Sequence, residues 1–365
     1  SSSIKVQSQS QRPNAPIEIE LKNFDITTLT NIVKKENLEA TGILDGKVLL
    51  KNLDKNILFT ADLNIADFTF NKDTVGNISV KVDNKVTSVY DAKVAITGNG
   101  NQVDLNGTYK ADSKTFDLIL DLEKLNMKSI QGFTMGNLKN SEGYLSGNFL
   151  VKGTADNPDV DGDLSFNAVG FNVTQLNSTF KNINDKIVFN QQGIVFNDFT
   201  INDENDNILL VKGQILSQNF RDFGFDLKID ADNFKAVNSG PQDNDIYYGK
   251  LFLDTSLSVK GDLNKPVVEG TVKINEDTDF TIVLPQSDPS IADREGIVEF
   301  IDQDNPPMFD KLTVSDTLSQ TKVRGIEASV NIEIVEQAAL SIIIDKGNGD
   351  YLKLKGEAQL NGGID

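Results

Sequence analysis

Histidine, cysteine and tryptophan are absent from this chain of 365 residues, and each absence excludes chemistry. Without His and Cys there is no Ser-His-Asp triad and no thiolate nucleophile. The imidazole and thiolate ligands used by zinc and most transition metals are missing too. No disulfide can form, so thiol usage is silent on the redox compartment. Lacking Trp, a sugar-binding aromatic platform would fall to six Tyr and 21 Phe, and the Phe lie mostly on apolar faces. Cations are also scarce. Lys and Arg total 35 against 54 Asp and Glu, a formal charge of -19 that repels phosphate backbones and sets nucleic acid aside as a partner. No run approaches the roughly 20 apolar residues of a membrane helix; the densest, Ala338 to Ile344, is strand-sized. The opening Ser1-Ser2-Ser3 has neither initiator Met nor signal-peptide regions, which reads as a processed chain or an excised piece whose membrane anchor would lie elsewhere.

What is present is period-two alternation, the mark of strands with one wet and one dry face. Phe223, Phe225, Leu227, Ile229 and Ala231 alternate with Gly224, Asp226, Lys228 and Asp230. Phe116, Leu118, Leu120 and Leu122 follow the same pattern, as do Phe59, Ala61, Leu63 and Ile65, and Leu251, Leu253, Leu257 and Val259. Clusters such as Asn99-Gly100-Asn101, residues 203–207 and residues 346–350 supply hairpin turns. The fold class is therefore all-β: about twenty antiparallel strands, too many for one flat sheet, hence a curled and elongated one. A change of phase between Ile65 and Phe68 predicts a bulge. Residues 25–35 and 126–132 are the expected short helical turns.

The chain also repeats itself. Val151-Lys152-Gly153 through Asp161-Gly162 aligns without gaps to Val259-Lys260-Gly261 through Glu269-Gly270, and Gly42-Ile43-Leu44-Asp45-Gly46 matches Gly143-Tyr144-Leu145-Ser146-Gly147. The expected organisation is a leading strand or linker (1–22) and three units (23–123, 124–232 and 233–365) in one continuous module. Within the aligned segments Gly153, Pro158 and Gly162, and Gly261, Pro266 and Gly270, read as structural turn residues, with a new strand starting near the second Gly.

Candidate chemistry is thin. Close carboxylate pairs arise by chance among so many acidic residues, and no oxyanion or phosphate cradle accompanies them, so no catalytic residue is assigned. Asn157 to Gly162 resembles the first half of an EF-hand loop. Its twelfth position is Ala168 where Glu is required, and the matching repeat replaces the ligands with Lys265, Val267 and Glu269. The acidic turns at 203–207 and 302–305 offer weak calcium binding at most. No cofactor and no metal are expected.

What remains is the hydrocarbon face itself, carried by Phe59, Leu63, Phe116, Leu118, Leu120, Leu164, Phe166, Phe223, Phe225, Leu227, Ile229, Leu251, Leu253 and Leu257. It is either an ordinary closed core or the lining of an open trough that receives acyl chains.

Several elements occur in a telling order. They are the Val-Lys-Gly…Pro-x-Val-Asp/Glu-Gly element, the openings Gly143-Tyr144-Leu145-Ser146-Gly147 and Gly249-Lys250-Leu251-Phe252-Leu253, the strand FGFDLKIDADNFKAVN at 223–238, and TDFTIVLP at 278–285 followed by DREGIVEF at 293–300. Together they resemble the TamB family of AsmA-like bridge proteins, in particular its Bacteroidota versions, most clearly from about residue 120 onward. The resemblance implies a middle-to-late section of a periplasmic protein of a Gram-negative bacterium, anchored in the inner membrane by a helix outside this chain. It implies a taco-shaped groove carrying phospholipid toward the outer membrane, and a TamA-like barrel protein as partner in outer-membrane protein assembly. The chain would be a monomer, not an enzyme, and would touch membrane only through segments it lacks. Two rivals stand beside this: a scaffold pairing its sheet edge with outer-membrane proteins, and an adhesin-like sandwich with a sealed core.

Overall fold

A computed structural model of the chain describes residues 2–28, 39–54, 57–217, 219–284, 326–345, 350–354 and 356–364. The expected features at residues 29–35, 293–300, 302–305 and 346–349 lie outside these. Among the described residues, twenty-two strands form one sheet. In the first half they are β1 (Ser3–Ser8), β2 (Ile17–Asp25), β3 (Ala40–Lys51), β4 (Leu58–Phe70), β5 (Asp73–Val86), β6 (Val89–Gly98), β7 (Asn101–Lys110), β8 (Thr115–Asn126), β9 (Leu138–Thr154), β10 (Pro158–Val173) and β11 (Ser178–Ile183). There follow β12 (Lys186–Asn190), β13 (Gly193–Asp203), β14 (Ile208–Leu216), β15 (Gly224–Ser239), β16 (Tyr247–Asp262), β17 (Pro266–Ile274), β18 (Asp279–Val283), β19 (Ile326–Ile334), β20 (Ala339–Asp345), β21 (Asp350–Leu354) and β22 (Gly356–Ile364). A single turn of helix, α1 (Met127–Gln131), connects β8 to β9.

The chain meanders antiparallel from β1 to β10, each strand pairing with the next. Four rows of the sheet are each made by two consecutive strands: β11 with β12, β17 with β18, β19 with β20, and β21 with β22. Twenty-two strands therefore occupy eighteen rows. At about 4.8 Å per row the sheet extends on the order of 80 Å along its hydrogen-bond direction. One step departs from the expected meander: β17 pairs with β19 and β18 with β20 in parallel. Parallel neighbours need a long return connection, and residues 285–325 separate these strands.

The rungs bend along a line that runs the length of the sheet. Register shifts fall at Asn23 in β2, Asp67 in β4, Ala168 in β10, Asp198 in β13 and Asn233 in β15. Each of these residues has a positive φ, between 46° and 55°. A bulge of this kind bends its strand and re-phases every side chain beyond it, as between Ile65 and Phe68. Four of the five are held by an Asx oxygen: the backbone N–H of Asn23 donates to Asp45 (2.8 Å), Asp67 to Asn77 (3.0 Å), Ala168 to Asn184 (2.8 Å) and Asn233 to Asp254 (2.7 Å). The breaks between β11 and β12, between β17 and β18 and between β19 and β20 continue the line. Bending each rung there turns the apolar side inward and makes a trough of the sheet.

The expected turns are present where they are described. Asn99 and Gly100, at φ 48° and 75°, make the two-residue β6–β7 hairpin. Pro158 and Pro266 begin β10 and β17 opposite Gly153 and Gly261. The new strands thus start at the prolines, and Gly162 and Gly270 stand four residues inside them, because a first-row proline costs no ladder hydrogen bond. The sheet passes through residues 123 and 232 without interruption. Of the two helical turns, α1 is capped by the Asn126 side chain, which accepts from the Lys128 N–H at 3.0 Å.

Asp254 shows what a bulge clamp contributes. Partial burial raises its pKa. The N–H of Asn233, the Asn275 amide (2.6 Å) and nearby Lys273 (4.0 Å) outweigh this, and the carboxyl titrates below its ordinary value of 3.8. A depressed folded pKa adds stability above the unfolded value and loses it as pH falls through the folded one. Asp254→Ala should cost about 1–2 kcal/mol at pH 7 and reduce hydrogen-exchange protection at residue 233. In acid titrations followed by circular dichroism, the stability gap between wild type and Asp254→Asn should close as pH falls below 3.8.

Candidate functional site

Cross-strand register carries one apolar face from row to row. Ile4 lies opposite Leu21, and Gly46 pairs with both Leu21 and Leu63. The row then continues through Val80, Val94, Leu105, Leu120 and Phe149. A parallel row runs through Leu164, Ile187, Phe196, Gly213, Leu227, Val259, Val268 and Ala328. The expected lining residues fall on this face. Phe59 packs near Tyr90 at 5.7 Å and Leu118 pairs with Val151. Phe116 lies opposite Tyr109, Phe166 opposite Leu145, and Phe225 opposite Ile215. Ile229 pairs with Leu257, Leu253 with Ile274, and Leu251 with Val237. Phe223, of the same parity, lies just before β15.

The alternation of Ile78, Val80 and Val82 with Asn77, Ser79 and Lys81 is the signal for the inward residues of β5 to β7, which sequence reasoning passed over. Phe149 is harder to find. Leu150 and Val151 make both parities apolar there, and only the register shows that Phe149 points inward and Leu150 outward.

Large side chains share this face with glycines. Phe149 and Phe189 lie on either side of Gly162, and their rings meet edge to face over it at 5.3 Å. Gly213, between Phe196 and Leu227, has φ +105°, and a Cβ there would sit 2.1 Å from the Asp226 carbonyl oxygen.

The lining is covered unevenly. Val103, Leu122 and Phe149 form one buried cluster, and Met127, Val169, Ile183 and Phe199 a second. A third contains Val237, Ile274, Phe280, Ile334 and Leu340. Each joins strands that are near neighbours in the sheet. Between and beyond these clusters the face is half-buried, and at the first row Ile4 and Val6 are 56% and 64% exposed. One sheet, with no second sheet packed against its apolar side among the described residues, is not the sealed sandwich of the third expectation.

The opposite face is polar and charged. A depression of about 890 Å³ over β2 to β7 is lined by Glu18, Lys47, Asp62, Lys81 and Lys93 among others, a consequence of sheet twist. Lys47 bridges Glu18 (3.5 Å) and Glu20 (3.3 Å), and these carboxylates raise its pKa, the hydrogen bond to Glu20 first. Such exposed pairs add little stability. In the acidic turn, Asp203 is fully buried and its oxygens accept from the N–H groups of Asn205, Asn207 and Lys235 and from the Asn207 amide, at 2.8–3.0 Å. Its acceptor capacity is used within the fold, which leaves little for calcium. Among the described residues no cluster of three acidic side chains could hold a metal, and no helix is long and apolar enough to cross a membrane.

The architecture defines a class: an elongated β-groove, one bent sheet with a continuous hydrocarbon lining. Residues 197–363 match the family model described as the TamB C-terminal domain, and over that stretch the chain is similar to the TamB family. The match supports a TamB-family role, and that family is envelope-associated and works with TamA-like partners. No curated protein and no solved structure matches the chain.

The close approach at Gly213 makes a prediction. Gly213→Ala should lower the thermal midpoint, at a cost of about 1–3 kcal/mol from overpacking and backbone strain. Gln214, the next residue of β14, faces outward, and Gln214→Ser should change the midpoint little, as read by circular dichroism.

Proposed function

We propose that the chain is a non-enzymatic segment of a periplasmic bridge that carries phospholipid between inner and outer membranes. The supporting observation is the apolar face, which register continues from Ile4 in β1 to Ala328 in β19. Acyl chains lie against the lining, with headgroups toward solvent at the open mouth. Each buried methylene gains about 0.8 kcal/mol wherever it lies, so a chain can slide without meeting a deep trap. Among the described residues, the two rows traced above carry no titratable side chain of the kind proton transfer requires. Direction is set outside this segment, by the membranes and by a TamA-like barrel protein at the outer one. The acidic exterior keeps the bridge off anionic bilayer surfaces.

One observation favours a second reading, pairing of a sheet edge with outer-membrane proteins. Among the described residues β1 pairs only with β2, and its six residues are all exposed.

Native mass spectrometry with organic extraction, on protein purified from a Gram-negative periplasm, separates the two. Wild type should carry phospholipid, and Leu227→Asp and Leu118→Asp should lose most of it while keeping their β-sheet circular dichroism. A wild type that carries none and cannot be loaded from vesicles would sink the conduit in favour of edge pairing.

A further inference from the structure

Along one rim of the trough, a loop reaches past its own neighbours. The segment before β15 passes the β12–β13 turn, where the Ser217 N–H donates to the Gln192 carbonyl at 2.9 Å. It ends on the β9–β10 hairpin, where the Arg221 guanidinium donates to Asp156 at 2.9 Å and to the Ala155 carbonyl at 3.2 Å. Between these anchors Phe220, at φ 53°, stacks on Phe189 with centroids 6.4 Å apart. Phe189 in turn meets Phe149 over Gly162. A file of three rings therefore runs from the trough floor, where Phe149 is 8% exposed, up to the rim.

The anchoring is weak by construction. Arg221 and Asp156 are 61% and 77% exposed, and an ion pair in such a setting contributes little. The left-handed backbone of Phe220 is uncommon for a non-glycine residue. The loop is held shut by contacts that thermal motion can break, and the surface it uncovers is hydrocarbon.

We propose that this clasp is a lateral portal, through which acyl chains enter or leave the trough between its ends. The portal rests on the groove reading above. Closed, Phe220 covers the Phe189 ring at the rim; open, it leaves Phe189, and through it the edge of the Phe149 cluster, to an incoming chain. Lipid then reaches this locally closed stretch of the lining from the side as well as along the trough.

The absence of Cys and Trp makes the test clean. In Phe220→Trp the indole is the only one in the chain, and its emission reports contact with Phe189. Adding Arg221→Ala should shift that emission to the red. A red emission already present in Phe220→Trp and unmoved by Arg221→Ala would overturn the clasp, whatever lipid does. Loading is then followed from phosphatidylethanolamine/phosphatidylglycerol vesicles containing a lipid with a fluorescent acyl chain. Asp156→Cys/Arg221→Cys joined by a short bis-maleimide should load more slowly than the same variant unjoined, and Arg221→Ala faster than wild type. The expected change is roughly fivefold, what a latch of exposed-ion-pair strength can supply. Equal rates in locked, unlocked and wild-type protein would overturn the portal while leaving the groove intact. No loading in any of them would remove the groove reading and the portal with it.

Discussion

The fold depends on reconciling a two-faced strand with a bend. A straight strand of the length of β10 or β15, both 16 residues, would display its apolar side on a flat wall. Bending it means breaking the ladder in the middle and leaving a backbone N–H without a strand partner, which is costly unless something else accepts the bond. This chain meets the cost with Asn and Asp. In β2, β4 and β15 they occupy the left-handed position of the bulge, which they tolerate better than other residues; β10 has Ala168 there. For all four strands one of them, on the adjacent strand or turn, supplies the side-chain oxygen that the displaced N–H needs. Placing the same device in β2, β4, β10 and β15 aligns the bends, and the aligned bends are the trough.

The lining follows from that geometry. On the concave side of a bent sheet side chains crowd, so large residues in neighbouring rows need small ones between them. Gly162 lets two phenylalanines touch over it, and Gly213 lets the backbone of β15 come close. Crowding closes the face locally, at three buried clusters, without closing it throughout. A sealed core would require a second layer to cover the remaining apolar surface. The half-exposed stretches between clusters are what distinguish a lining from a core.

Alternation alone reveals the strands, the apolar face and the all-β class, because a period of two leaves little room for another reading. The bulge near Asp67 is legible as a phase change for the same reason. Three things are not. Asp45, Asn77 and Asp254 look like any wet-face residue, and their function as acceptors shows only when the neighbouring strand is in register. The parallel step at β19 is set by a long connection, about which alternation says nothing. Phe220 sits in a polar stretch, Gln218-Asn219-Phe220-Arg221-Asp222, where a lone aromatic has no periodicity to give its partner away.

A sheet assembled row by row has mainly nearest-neighbour couplings, so it resembles a solenoid more than a globule. In a globular core, displacing one aromatic disturbs contacts on all sides and is opposed by the whole domain. Here a rim loop such as the one bearing Phe220 touches only a few rows, and the ladders on either side do not depend on it. Local opening and global stability are therefore separable, and a long hydrocarbon trough can expose part of its length without losing its shape. That property comes from the one-dimensional order of the rows and from bends whose clamps are local, each formed between adjacent rows.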